Sequence, residues 1–279
     1  MAARESAPFA LLKNLRKNGG APFALLIVLT LLLAGCKPPE QPAVTSIVGA
    51  VLIDGTGGPP ISDSLVTIES GRIRAAGSRA NLLIPPEAEK IDGAGKFLVP
   101  AVIDVAERAQ KANLTFPSVS SLRDARSAVD AGAMVCLHMI GDTDALDPAF
   151  VTRLRDLRIV FVPMLAEERD PARLAVAKRN TRRLTDAGVL MAVGSSGDSY
   201  REMEMLVEAG LSPTDVLVAA TRNGAQALGT LNDEGAIEAG KRANLLLLTA
   251  NPAEDIRNMR KTGGEMREGR WLTRTNLSP

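Results

Sequence analysis

The stretch Leu98-Val-Pro-Ala-Val-Ile-Asp104-Val-Ala106-Glu-Arg108 divides the chain into two kinds of pattern. Its first part, Phe97–Ile103, is almost unbroken apolar sequence, as expected of a strand covered on both faces. Upstream, short β-type runs alternate with turn residues. Val48–Ile53 ends at Asp54-Gly-Thr-Gly-Gly-Pro-Pro60, and Ser64–Ile68 passes through Glu69-Ser-Gly71-Arg72 into Ile73–Ala76. Gly71 supplies the positive φ that such a turn needs. This half reads as a small antiparallel β module.

Downstream, strands alternate with helices. Ser118–Ala131 has helical spacing, and Met134–Ile140 reads as a second buried strand. Asp147-Pro148 opens a helix through Leu157, because Asp accepts free amides and Pro suits the first turn. Ile159–Val162 is a third strand, Asp170-Pro171 opens a helix to about Ala187, and Val189–Val193 is a fourth strand. Ser212-Pro-Thr-Asp215 is a capping-box variant, predicting a helix to Leu228 closed by Gly229. Strand and helix in repeated alternation predict parallel βαβ units and an α/β fold. The pattern returns to β at Asn244–Thr249 and Glu265–Leu272.

Composition narrows the function classes. A hydrophobic content of 46% argues against global disorder. A net charge of +1, with no basic stripe, gives no reason to expect nucleic acid as a partner. The chain holds one His and two Cys, few for a site of the usual zinc type. Residues 1–36 read as a signal: Lys13, Arg16 and Lys17 precede the apolar run Ala24–Leu33, which ends in Leu33-Ala-Gly-Cys36. That run is shorter than the ~20 residues of a spanning helix. It resembles a bacterial lipoprotein signal, which implies acylation of Cys36 and a membrane anchor. With Lys37 next, the resemblance implies the outer membrane, facing the periplasm. The other reading is an uncleaved anchor helix. Residues 37–46 are proline-rich and read as a tether. Lipid on Cys36 leaves Cys136 without an intrachain partner.

The 98–108 stretch, with Glu208-Ala-Gly-Leu-Ser-Pro213, Ala220-Thr-Arg-Asn-Gly-Ala225, Ala227-Leu-Gly229 and Gly235-Ala-Ile-Glu-Ala-Gly-Lys-Arg-Ala-Asn-Leu-Leu-Leu-Leu248, resembles the amidohydrolase superfamily, in particular its imidazolonepropionase-like branch. The resemblance implies a parallel (β/α) barrel over 99–235. Beside it stands a composite β-sandwich from 47–98 and 236–275. A complete barrel of this type takes about 250 residues, so roughly four of its eight units are missing, and the barrel is truncated.

The family writes the first segment Pro-Gly-Leu-Ile-Asp-x-His-x-His, its two histidines binding the catalytic metal from one strand face. Here Ala106 and Arg108 stand at those positions, and neither ligates. Ser196, in Gly194-Ser-Ser-Gly-Asp198, replaces the Asp that handles metal and water in the family. Asp198 is the candidate substitute base. His138 resembles a later metal-binding His. As alternate strand residues, it and Cys136 can hold zinc weakly, act as base and nucleophile, or simply sit in a core strand. Asp142, Asp144 and Asp147 can bind a hard cation or cap the next helix. Gly194–Asp198 lacks the final Gly of a serine-hydrolase elbow. Gly55-Thr-Gly-Gly58 precedes Pro59-Pro60 and reads as a turn.

Three readings follow. The first is a lipid-anchored, non-catalytic remnant that binds no cofactor, whose open half-barrel is closed by a second copy or a protein partner. The second is an active zinc-dependent hydrolase of C–N bonds, its site rebuilt around His138, Asp198 and an acid of the 142–147 loop. The third is a purely structural envelope protein.

Overall fold

The computed structural model describes residues 44–272. Cys36 with its expected lipid, the signal segment and most of the tether therefore lie outside the described residues. The chain opens with β1 (Val44–Val48), β2 (Val51–Leu52), β3 (Ser64–Glu69), β4 (Arg72–Ser78), β5 (Glu89–Asp92) and β6 (Phe97–Pro100). β1 starts inside the stretch read as tether: Val44, Thr45 and Ser46 are buried and paired with β3. Gly71 (φ 80°) makes the β3–β4 turn, and a Cβ there would stand 2.9 Å from the Glu268 carbonyl oxygen.

Next come α1 (Val105–Lys111), α2 (Leu122–Asp130), β7 (Val135–Leu137), α3 (Pro148–Asp156), β8 (Val160–Val162), α4 (Pro171–Asp186) and β9 (Leu190–Met191). The chain continues through α5 (Ser199–Glu208), α6 (Pro213–Ala220), α7 (Arg222–Ala227), β10 (Leu245–Leu248), β11 (Thr262–Arg267) and β12 (Arg270–Leu272). The expected caps are present: Asp147, Asp170 and Ser212 each accept an amide of the following helix, and Ser212 forms a full capping box with Asp215. The single helix expected over 212–228 is instead broken at Thr221 (φ −129°, ψ −82°), whose hydroxyl donates back to the Leu217 carbonyl.

Two sheets share one core. The first runs β4-β3-β1-β5 and the second β12-β11-β10-β6-β2. The four leucines of β10 are all buried because that strand has cores on both sides. Leu245 and Leu247 join Ile47, Val66 and Ile68, while Leu246 and Leu248 join the helical core. β6 divides the same way, Leu98 to one side and Val99 to the other. The 97–103 run was expected to be one strand, with the barrel beginning at 99. Its extended part, Phe97–Pro100, pairs with β10 and β2 in the sandwich sheet.

The barrel region holds one parallel sheet, β7-β8-β9, with helices between its strands. Among the described residues it does not close into a barrel. Its outer face carries Cys136, Phe161 and Met191, packed with Val129 of α2, Leu154 of α3 and Leu184 of α4. An open half-barrel is expected to leave unpaired strand edges and exposed apolar faces. Here the inner face is covered: Val135, Val160, Val162 and Ala192 pack against Val105 of α1 and Ala227 of α7. Burial of each of these valines contributes about 1.5–3 kcal/mol. The covering helix is the segment that the family pattern uses for metal ligands.

Candidate functional site

Asp104 organises the strand ends. It is buried (5% exposed) and caps α1 by accepting the Glu107 amide at 2.9 Å. The same carboxylate accepts the Ser195 amide (3.2 Å) and the hydroxyls of Ser195 and Ser199 (both 2.7 Å). The backbone on either side is tied in as well. The Ile103 amide donates to the Ala220 carbonyl (2.7 Å) and the Val105 amide to the Val193 carbonyl (2.9 Å). α1 is thereby pinned against the end of β9.

Ala106 and Arg108 sit on this helix, not on a strand. Residues two apart on a helix point about 200° apart around the axis, so they cannot share one ligand. A Cβ built on Gly194 would lie 3.2 Å from the Ala106 nitrogen and 2.5 Å from Val162 Cγ1. Gly194→Ala is expected to destabilise the fold by about 1–3 kcal/mol through overpacking, read as a lower urea midpoint. Arg108 turns to Glu234, its Nη1 2.6 Å from Oε1. Glu234 is nearly buried and also accepts the Thr230 hydroxyl. Around α1 lies an open cleft of about 680 Å³, lined by Glu107, Arg108, Lys111, Arg242 and Arg267 among others.

His138 ends β7 with φ 65°, its amide still bonded to the Val162 carbonyl. This left-handed turn takes His138 out of strand geometry and corrects the expectation that it pairs with Cys136. Cys136 faces the helical core, and burial pushes its thiol up to about 11, so it stays protonated at neutral pH. His138 Nδ1 lies 2.9 Å from Ser118 Oγ, and Nε2 lies 3.9 Å from Glu167 Oε2. Glu167 accepts the Ser196 amide at 2.7 Å, which is how Ser196 meets this group.

Asp198 is engaged elsewhere. It caps α5 through the Arg201 amide and pairs with Arg260 at 2.9 Å. The hydrogen bond from Arg260 is the main cause that holds its carboxyl below the usual range, the reverse of what a general base near neutrality requires. Asp142 accepts the Leu122 amide, Asp144 pairs with Arg179, and Asp147 caps α3. The acidic loop thus accepts helix amides and pairs with Arg179 rather than meeting His138 and Asp198. Asp54 accepts the amide and hydroxyl of Thr56, so 54–58 is a turn.

The family's metal does not fit the residues that stand here: Ala106 offers no donor, and Arg108 is a cation. Among the described residues no three His, Cys, Asp or Glu converge as a ligand set. Sequence reasoning missed Ser118, Glu167, Glu202 and Glu234, since each earns its place through contacts far along the chain. Glu202 is fully buried, and its two oxygens accept the amides of Leu165 (2.9 Å) and Ala166 (2.8 Å), fixing the turn that carries Glu167. Burial pushes its carboxyl up to about 7.

Comparison with known proteins agrees with this architecture. The model of the Amidohydrolase family matches residues 103–270. The fold is similar to that of molinate hydrolase, with TM-score 0.70 and 16% identity, covering 86% of this chain and 97% of that one. It is similar to an amidohydrolase from Thermotoga maritima MSB8 at TM-score 0.65 and 14% identity, covering 82% of this chain and 100% of that one. A Xaa-Pro dipeptidase with bound methionine gives TM-score 0.62 and 13% identity, with 82% and 100% covered. No curated protein sequence matches the chain. The family model spans more than half of the chain, which therefore belongs to the amidohydrolase family.

Proposed function

We propose that this protein keeps the amidohydrolase scaffold but has given up the family's metal-dependent hydrolysis of C–N bonds. In respect of that chemistry it is a pseudoenzyme. One observation carries the reading: the segment that should present His-x-His is a helix, docked by Asp104 onto the sheet's inner face. A metal site at 106 and 108 would need that segment extended, and the inner face would then lose its cover. The rebuilt-site reading has less support, because His138, Asp198 and the 142–147 acids do not converge. The proposal extends to an envelope lipoprotein anchored through Cys36. A second copy or a protein partner would use the outer edge of β7, which among the described residues is met by the short bridge of Pro117–Val119 to Leu137.

The test is bound metal per chain after expression in zinc-supplemented medium. Zinc far below one per chain is the expected result. Near-stoichiometric zinc that is lost in His138→Ala would overturn the reading.

A further inference from the structure

We propose that Ser118, His138 and Glu167 form a nucleophile–base–acid set that transfers an acyl group from a small ester to Ser118 and then to water. This goes beyond the loss of metal chemistry and does not depend on it. Three observations carry it. Ser118 Oγ is exposed and within hydrogen-bond reach of His138 Nδ1, at 2.9 Å. On the far side of the ring, Glu167 Oε2 stands 3.9 Å from Nε2, in ion-pair reach of the imidazolium that proton uptake creates. Glu167 is itself held by the Ser196 amide, on a turn fixed by Glu202.

The backbone supports the same reading. His138 (φ 65°) and Met164 (φ 50°) both adopt the left-handed conformation, which is costly for residues other than glycine and collects at functional sites. Both border a cleft of about 200 Å³ whose other walls include Met139, Pro163 and Leu165. Ser120, Glu167 and Glu168 line its polar side, so the cleft has room for a short acyl group against the apolar wall. The site stands at the C-terminal ends of parallel strands, where α/β folds place their ligands.

The chemistry balances without a cofactor. With Nε2 protonated towards Glu167, Nδ1 takes the Ser118 proton as Oγ bonds to the ester carbonyl carbon. The tetrahedral adduct collapses, the C–O bond to the alcohol breaks, and the alcohol leaves with the proton from Nδ1. Water then gives a proton to Nδ1 and its oxygen to the acyl carbon. The Oγ–C bond breaks, Ser118 regains its proton, and a carboxylic acid is released.

The experiment treats the full chain with a fluorophosphonate probe and maps the adduct by mass spectrometry. The expected result is one adduct, on Ser118, unaffected by a chelator and absent from Ser118→Ala. His138→Gln should slow labelling by at least about 100-fold, the usual contribution of a general base. Glu167→Gln, at a part-exposed position, gives a second arm and should slow it by about 10-fold if the carboxylate supports the imidazolium. Labelling of Ser118 no faster than of the neighbouring Ser120 and Ser121 would overturn the proposal. So would a folded His138→Gln that labels at the native rate. Zinc content, the test of the pseudoenzyme reading, is a separate outcome.

Discussion

Asp104→Ala is expected to lower folding stability by about 3–5 kcal/mol, combining a lost helix cap with lost hydrogen bonds to a charged group. The carboxylate joins the start of α1, the loop after β9 and the start of α5, through Glu107, Ser195 and Ser199. Alanine leaves the Ser195 amide facing a buried void with no acceptor from that side chain. Asp104→Asn retains one carbonyl oxygen for the two amides, and its NH₂ can donate to the two hydroxyls, so about 1–2 kcal/mol is expected. Urea unfolding of the two variants beside the native chain checks both figures. A loss below about 1 kcal/mol for alanine would mean that α1 is not held by this network.

Stability should also fall as the pH rises through the Glu202 titration. The folded carboxyl titrates near 7 against an ordinary 4.5, because burial disfavours its charged form. Between those values the folded chain binds the proton that the unfolded chain has lost. The stabilisation is therefore complete below 4.5 and is lost as the pH climbs through about 7. The difference amounts to about 3 kcal/mol. Melting temperatures from pH 4.5 to 8.5 should decline more steeply for the native chain than for Glu202→Gln, which has no proton to lose. Parallel curves would contradict the assignment.

Much of the fold was legible in the sequence because its signals are local. The caps at Asp147, Asp170 and Ser212 sit directly before their helices, and each forms as read. The apolar run from Phe97 reads as a strand with cover on both sides, and two cores meet at β6 through Leu98 and Val99. α5 was overlooked for an instructive reason. Asp198 carries an equally local capping signal, but it was weighed as a catalytic base. The helix over 105–111 was legible only in its local cap, Asp104 three residues before Glu107. It depends on the Val193 carbonyl, Ser195 and the apolar inner face, none of which lies near it in sequence.

The candidate site divides in the same way. The loss of donors at 106, 108 and 196 is a matter of residue identity and could be read directly. The Ser118–His138–Glu167 grouping joins three positions 20 and 29 residues apart. It arises from a left-handed turn at His138 that no spacing rule predicts.

The central claim is that α1 occupies the place of the metal-bearing strand segment and seals the inner face of the sheet. Native-state hydrogen exchange at the Val105 amide tests it most directly, because that amide bonds to Val193 and is fully buried. The account predicts protection close to that of β8, released only by global unfolding. Exchange at the rate of an open loop would show that α1 is not docked, and would return the strand ends to the possibility of a metal site.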